Sequence, residues 1–264
     1  MTLSRSRPVH SSQTAPHAAL ARCVLRHVRA PWRKPAQAVD GPALAALGEA
    51  LRRHDGPLIL DSFCGTGMST AALAERHADA LVIGVDQSAH RLDRAAVVPR
   101  NALLLRAHAE AVWRELAASG RRLSAHYILY PNPWPKPKHL GRRVHGHPAF
   151  PLLPRLGGWL ELRSNWPVYV EEFGIALHLL GHPSRIATVA ANEPVSTRFE
   201  QKYRASGQTL WRSVAHFDNR GQPLAGVGPG TRQGTERSER RRAGAMKVEA
   251  RSATLTVSEK EQAS

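Results

Sequence analysis

Between residues 57 and 191 the apolar positions switch repeatedly between two periods. PLILDSF, beginning at Pro57, is an unbroken apolar run that closes on small polar residues, and MSTAALAERH, beginning at Met68, spaces its apolar residues three and four apart. The alternation continues. ALVIGVD reads as a strand, HRLDRAAV as a helix, NALLLRAH as a strand, AEAVWRELAAS as a helix and HYILYP as a strand. After a basic loop, GWLELRSN reads as a strand, VYVEEFGIALHLLG as a helix and SRIATVAA as a sixth strand. Periods of two and 3.6 separate the two kinds of element. Strands that are apolar throughout and divided by helices belong to a parallel sheet covered on both faces, so an α/β, doubly wound, mostly parallel sheet is expected.

The flanks lack this pattern. Residues 1–40 are rich in Ser, Pro, His and Arg, carry no acid before Asp40, and are expected to form a disordered basic leader. Residues 221–264 hold no aromatic residue and few large apolar ones, which predicts a disordered basic tail in which Arg240, Arg241 and Arg242 are solvated. The domain is thereby placed at 41–220. No internal repeat is present.

Charge changes the picture. The 264 residues carry a net charge of +16, mostly from arginine. Such a field favours a polyanionic partner, nucleic acid or a membrane surface. No apolar run approaches the roughly 18 residues that span a bilayer. The two cysteines, Cys23 and Cys64, lie far apart without metal-ligand spacing, which argues against a disulfide framework or a metal site and fits the cytoplasm.

In a doubly wound sheet, ligands bind beyond the carboxyl ends of the strands. Asp61-Ser-Phe-Cys-Gly65-Thr-Gly67 follows the first strand, where two glycines let the backbone turn tightly and approach a ligand at a helix N-terminus. Asp86 ends the second strand, placed for a bidentate grip on two ribose hydroxyls. Ala107-His108-Ala109-Glu110 ends the third, with small residues able to flank a flat ring. A dinucleotide site would carry a third glycine where Thr70 stands, so a mononucleoside ligand is indicated.

LDSFCGTGMSTAALAERHADALVIGVDQS resembles the first two motifs of class I S-adenosylmethionine-dependent methyltransferases, whose fold is Rossmann-like. YPNPWPKPKHLGRR, LELRSNWPVYVEE and TRFEQKYRASGQTLW resemble three motifs of the tRNA (guanine-N7)-methyltransferase family, over roughly residues 57–212. The resemblance implies S-adenosyl-L-methionine as cofactor and tRNA as partner. It implies that Gly65 and Gly67 adjoin the donor's methionine portion and Asp86 its ribose, with Asp61, His108 and Glu110 completing the cofactor side. It implies an acceptor side built from Asn132, Pro133 and Trp134 with Asn165, Thr197 and Glu200, and phosphate contacts by Lys136, Lys138, His139, Arg142 and Arg143. Trp134 either stacks on a base or braces the loop. The oligomeric state, monomer or homodimer, stays open.

Four positions depart from the family pattern. Phe63 stands where the first motif has glycine, so a wider or differently bent donor loop is expected. His108 replaces an aspartate, with Glu110 as a possible substitute, and Asn132 and Asn165 replace the aspartates of P-D-P-W and T-D-W. Guanine N7 bears a lone pair and no proton, so its methylation rests on alignment rather than on a general base. The aspartates suit guanine's N1–H and N2–H₂ donors, whereas an asparagine offers one acceptor oxygen and an opposing amine. Asn132-Pro133-Trp134 is also similar to the motif of amino-methyltransferases, which leaves adenine or cytosine amines as alternative acceptors. A catalytically weak S-adenosylmethionine- and RNA-binding paralogue is the reading from another class, and a small-molecule methyltransferase is a third.

Other polar residues carry structural expectations. Glu161 and Arg163 are expected on the surface of a half-exposed strand, and Glu171 and Glu172 in a first helical turn where acids favour the dipole. Trp113, Trp159 and Trp211 are expected in the core, Cys64 in packing, and His145 and His147 in a phosphate-touching loop.

Overall fold

The computed structural model describes residues 6–95 and 97–217. The expected tail at 221–264 lies outside them. Seven strands form one sheet in the order β3-β2-β1-β4-β5-β7-β6. They are β1 (Leu58–Ser62), β2 (Leu81–Asp86), β3 (Ala102–Arg106), β4 (Ala125–Leu129), β5 (Gly158–Ser164), β6 (Arg185–Thr188) and β7 (Trp211–Phe217). The first five pair in parallel, and β7 inserts antiparallel between β5 and β6. Reversal of the strand order beside β1 opens the crevice between the carboxyl ends of β1 and β4, where ligands of such sheets bind.

The helices are α1 (Leu20–Arg29), α2 (Gly41–Arg53), α3 (Met68–Arg76), α4 (Ala89–Leu92), α5 (Ala109–Ser119), α6 (Leu153–Leu156), α7 (Pro167–Leu179) and α8 (Arg198–Ala205). Every residue of β1 is buried, as two-sided coverage requires. The main core gathers β1, β2, β4 and β5 with α1, α2, α5 and α7, and Trp113, Tyr169 and Phe173 are fully buried within it. Trp113 donates its indole N–H to Ser62 Oγ at 2.9 Å, so the one polar atom it brings into the core is satisfied. Trp211 packs partly buried against the core, while Trp159, expected inside, is 39% exposed.

The leader expectation needs correction. Leu20, Cys23, Val24 and His27 form the buried stripe of α1, which packs against α7. This stripe is a single ten-residue repeat interrupted by arginines, so it leaves little periodicity to read, and burial against α7 supplies what propensity does not. The seventh strand was not anticipated either. WRSVAHF mixes Arg, Ser and His into a strand only partly buried, so its apolar pattern is weak. The segment HRLDRAAV keeps only the four-residue turn of α4.

Candidate active site

The loop after β1 is left-handed at three positions. Phe63 has φ +64°, Gly65 +63° and Gly67 +72°, and α3 begins directly afterwards. Phe63 therefore adopts a backbone conformation that ordinarily favours glycine. Its ring lies edge-on to Trp113 at 6.1 Å, a contact that offsets part of the conformational cost. A side chain on Gly65 would point into open space, so the backbone there is bare toward the crevice. Gly65 N–H donates to Asp86 Oδ2 at 3.0 Å and Ser88 N–H to Asp86 Oδ1 at 2.8 Å, while Arg91 reaches the same carboxylate at 3.1 Å.

Asp61 sits beneath this loop, fully buried. Its Oδ2 accepts from Ser69 Oγ at 2.6 Å and Thr70 Oγ1 at 2.7 Å, and its Oδ1 has no partner. Burial pushes its pKa up to about 6, against the pull of the two hydroxyls. Cys64 is buried beside it, and burial with the Asp61 and Asp86 charges raises its thiol well above the ordinary value, so packing is its role.

His108 caps α5. Its backbone N–H and its Nδ1 both meet Asp40 Oδ1 at 2.9 Å, and Gln37 N–H donates to Asp40 Oδ2 at 2.8 Å. Burial acts to raise the Asp40 pKa, but these hydrogen bonds outweigh it and the result is lowered. Asp40 thus brings a buried carboxylate beside His108 at the end of β3. Glu110, one residue inside α5, forms no hydrogen bond of this kind. Only the Q-x-x-D spacing of Gln37 and Asp40, a capping pattern, marks Asp40 in the sequence.

The loop after β4 carries the other two left-handed non-glycine residues, Tyr130 at φ +55° and Trp134 at +46°. Asn132 is exposed and its Oδ1 accepts from Trp134 N–H at 3.3 Å. The Arg142 guanidinium lies 4.8 Å from the Trp134 ring centroid and His139 meets the ring edge-on at 5.5 Å. Lys136, Lys138 and Arg142 are exposed, as phosphate contacts require.

Arg143 is different: it is 0% exposed. It donates to Glu172 Oε2 at 2.5 Å, to Gln13 Oε1 at 2.9 Å, and through Nε and Nη2 to the Trp134 carbonyl at 3.3 and 3.2 Å. The expected phosphate contact is therefore corrected: Arg143 anchors the loop from beneath. His145 meets Glu172 Oε2 at 2.8 Å and is equally buried, so it does not touch phosphate either, and Glu172 serves the loop rather than the helix dipole. Burial would raise the Glu172 pKa, yet His145, the His17 N–H and Arg143 bring it to about 2. His147 sets its ring against Trp32 at 5.7 Å.

The remaining motif residues divide in the same way. Asn165 donates from Nδ2 to Gln208 Oε1 at 2.8 Å. Thr197 caps α8, its Oγ1 accepting from Glu200 N–H at 3.0 Å, and it lines the crevice. Glu200, expected on the acceptor side, is 0% exposed and receives Arg204 at 2.6 Å, Arg163 at 3.3 Å and Ser196 N–H at 3.2 Å. It fastens α8 instead of meeting substrate. Arg163 also binds Glu161 at 2.6 Å and Glu193 at 3.0 Å, so the surface expectation for Glu161 and Arg163 fails: both are buried, and each charge is matched.

A cleft of ≈ 210 Å³ lies between the donor loop and the start of α8, bounded by Phe63, Gly65, Met68, Arg94, Leu129, Thr197, Arg198 and Phe199, and Asn132, Pro133 and Trp134 are not among its lining residues. Phe199 is 47% exposed in its wall and stacks on Tyr203, with planes 26° apart and centroids 6.3 Å apart. An exposed aromatic between arginines suits a nucleobase with its phosphates. Phe199 and Arg198 went unassigned in the sequence although they lie inside the TRFE motif. Among the described residues no group of three His, Cys, Asp or Glu is placed to hold a metal, and no helix is long and apolar enough to cross a membrane.

The sequence model of a family described as a putative methyltransferase matches residues 55–213, from just before β1 into β7. A tRNA (guanine-N(7)-)-methyltransferase of Anaeromyxobacter dehalogenans is 32% identical over 64% of this chain and 87% of its own length. The chain belongs to the tRNA (guanine-N(7)-)-methyltransferase family. Another member, from Mycobacterium avium, is 31% identical over 69% of this chain and 73% of its own. A third, from Nitrosomonas eutropha, is 28% identical over 58% and 73%. Among solved structures, an antibiotic-related methyltransferase matches with TM-score 0.50 and 15% identity, covering 66% of this chain and 94% of that one. The 16S rRNA methyltransferase KamB matches with TM-score 0.50 and 16% identity over the same shares. These two likenesses concern the fold. The matched family region begins after α1 and Asp40, so both lie outside it, while His108 lies within.

Proposed function

We propose that this chain is an S-adenosyl-L-methionine-dependent methyltransferase that forms 7-methylguanosine in tRNA. The observation that carries the reading is the cleft in which the bare Gly65 backbone and the capped end of α8 with its exposed Phe199 ring come together. The donor fits this site: Gly65 admits close approach, Asp86 ends β2 where ribose hydroxyls are held, and the unpartnered Asp61 Oδ1 lies buried beneath the same loop. When bound, S-adenosyl-L-methionine supplies a methyl group on a sulfonium, which guanine N7 can accept through its lone pair without losing a proton.

The chain's own residues then have to bind, align and exclude water. Gly65, Gly67, Asp61 and Asp86 hold the donor side, with His108 oriented by Asp40 at its border. Thr197 and Phe199 line the acceptor side of the cleft, and Trp134, its carbonyl held by Arg143, carries Asn132 and Pro133 in the neighbouring loop. Arg91, half exposed, is the partner that would yield Asp86 to the ribose of a bound donor. Lys136, Lys138, His139 and Arg142 receive tRNA phosphates beside the pocket. Asn132 and Asn165 hold the base with neutral amides, a weaker grip on guanine's N–H donors than carboxylates provide. The buried, unpaired Cys23 and Cys64 and the tRNA substrate fit a cytoplasmic enzyme.

The test is methyl transfer from labelled S-adenosylmethionine to unmodified bulk tRNA, followed by digestion to nucleosides and identification by mass. A 7-methylguanosine product is expected. A methylated adenosine or cytidine, or intact donor binding with no transfer, would overturn the assignment of the acceptor.

A further inference from the structure

One strongly charged surface takes no part in the site described above. Arg22, Arg26 and Arg29 recur at four- and three-residue spacing on α1, so all three project from one face, and all are exposed. Between them lie Leu25 and Ala30, giving a shallow, arginine-edged groove. The opposite face of the helix is pinned. Leu20, Cys23, Val24 and His27 are buried, and Cys23 Sγ and His27 Nε2 reach the Gly146 carbonyl at 3.5 and 3.2 Å. The ridge is thus displayed on a fixed element that touches the same loop as Lys138 and Arg142.

Its charges are not compensated locally. The helix contains no acid, and none of the three arginines forms an ion pair among the described residues. Arg143, Arg163, Arg204 and Arg212, by contrast, each meet a carboxylate. Like charges three and four residues apart weaken a helix, so the arrangement works against α1 unless a polyanion neutralises it. Seven cations and no acid occupy residues 1–39, and three of the seven make the ridge.

We propose that the Arg22–Arg26–Arg29 face of α1 is a second phosphate-binding surface, which grips the backbone of the same RNA whose base enters the cleft. This inference rests on the functional reading above. The ridge rises about 10 Å along the helix, enough to contact more than one phosphate. The buried face of α1 rests on Gly146, four residues past Arg142, so the ridge is carried by an element anchored to the basic loop, and the planar guanidinium fork suits phosphate oxygens.

Binding of unmodified tRNA is measured across a salt series for the full chain and three variants: Arg22→Gln/Arg26→Gln/Arg29→Gln, the same positions changed to Lys, and Arg100→Gln/Arg155→Gln/Arg185→Gln. The last removes equal charge at the amino ends of β3, β5 and β6, on the far edge of the sheet. The first variant is expected to bind at least about 10-fold more weakly, with a log–log salt slope shallower by about two to three, since each lost phosphate contact removes about 0.7–0.9. Its affinity for S-adenosylmethionine and its Tm stay at the wild-type values. The Lys variant keeps most of the slope, and the far-edge variant changes affinity less than about 3-fold, as long-range screening predicts. An unchanged slope in the α1 variant, or equal effects from both glutamine triples, overturns the proposal. If the α1 triple lowers Tm, each single substitution must still flatten the slope by about one contact's worth. A wild-type chain without salt-dependent tRNA binding would instead overturn the functional reading.

Discussion

The two sides of the cleft are held in place by different physics. On the donor side the loop after β1 is fixed by near neighbours: Gly65 N–H on Asp86, Ser88 N–H on the same carboxylate, and the Ser69 and Thr70 hydroxyls on Asp61. On the acceptor side the loop after β4 is fixed from afar. Trp134 is held by Arg143, Arg143 by Glu172 and Gln13, and α8 by the Glu200–Arg163–Glu193 network. Short hydrogen bonds to backbone tolerate the loss of one member, whereas a buried ion network stripped of one charge leaves the others exposed to desolvation. Both sides bear left-handed non-glycine residues, Phe63 on one and Tyr130 and Trp134 on the other, and such strain gathers where a ligand site over-determines the backbone.

The sharpest break in this symmetry is at Arg143. Arg143→Ala should cost about 3–5 kcal/mol in chemical denaturation, because it leaves Glu172 buried and unpaired. A loss below 1 kcal/mol would mean that the acceptor loop does not depend on its remote anchor. The same network sets an acid limit. The Glu172 pKa is depressed to about 2 in the folded chain, so its contribution is complete above the unfolded value near 4.5 and disappears as pH falls toward 2. That window holds about 3 kcal/mol. His126, buried and lowered to about 3, adds a loss that begins below its unfolded value near 6.5. Glu172→Gln should flatten the stability profile between pH 4.5 and 2 while leaving the step that starts near 6.5, and an unaltered profile would remove Glu172 from the account.

The donor side should behave in the opposite sense. The Asp61 pKa is raised to about 6, so its charged form costs stability progressively as pH rises from about 3.8 to 6. Asp61→Asn is therefore expected to stabilise the chain by about 1–3 kcal/mol at pH 8, with no advantage below pH 4. Its affinity for S-adenosylmethionine should fall at the same time. Greater stability with undiminished donor affinity would show that the orphaned oxygen is not a ligand.

Base choice offers a test of similar size. Restoring Asn132→Asp should raise kcat/KM for guanine about 10–100-fold, the value of exchanging a neutral for a charged hydrogen bond. A fall would show that the asparagine is matched to another base. The smallest effect is at Phe63. Alanine there keeps the left-handed strain and loses the contact with Trp113, whereas glycine relieves the strain, so Phe63→Gly should be more stable than Phe63→Ala by about 1 kcal/mol in thermal unfolding. The reverse order would mean that the loop shifts when the ring is removed.

Six strands, a mostly parallel sheet and the donor loop were legible along the chain, because each depends on residues that are neighbours in sequence or on a repeated period. The G-T-G turn and the aspartate at the end of β2 are local chemistry of this kind, whereas Thr197, expected on the acceptor side, caps α8. Tertiary structure alone decided which charges are buried. Adjacent Arg142 and Arg143 are indistinguishable as letters, yet one lies open over Trp134 and the other is enclosed by Glu172, Gln13 and Trp166. Asp40 likewise reaches His108 across 68 residues, and α1 becomes a helix only where α7 covers its apolar stripe. Period and turn chemistry act over a few bonds and can be read from order. Desolvation and ion pairing act between groups that only folding brings together.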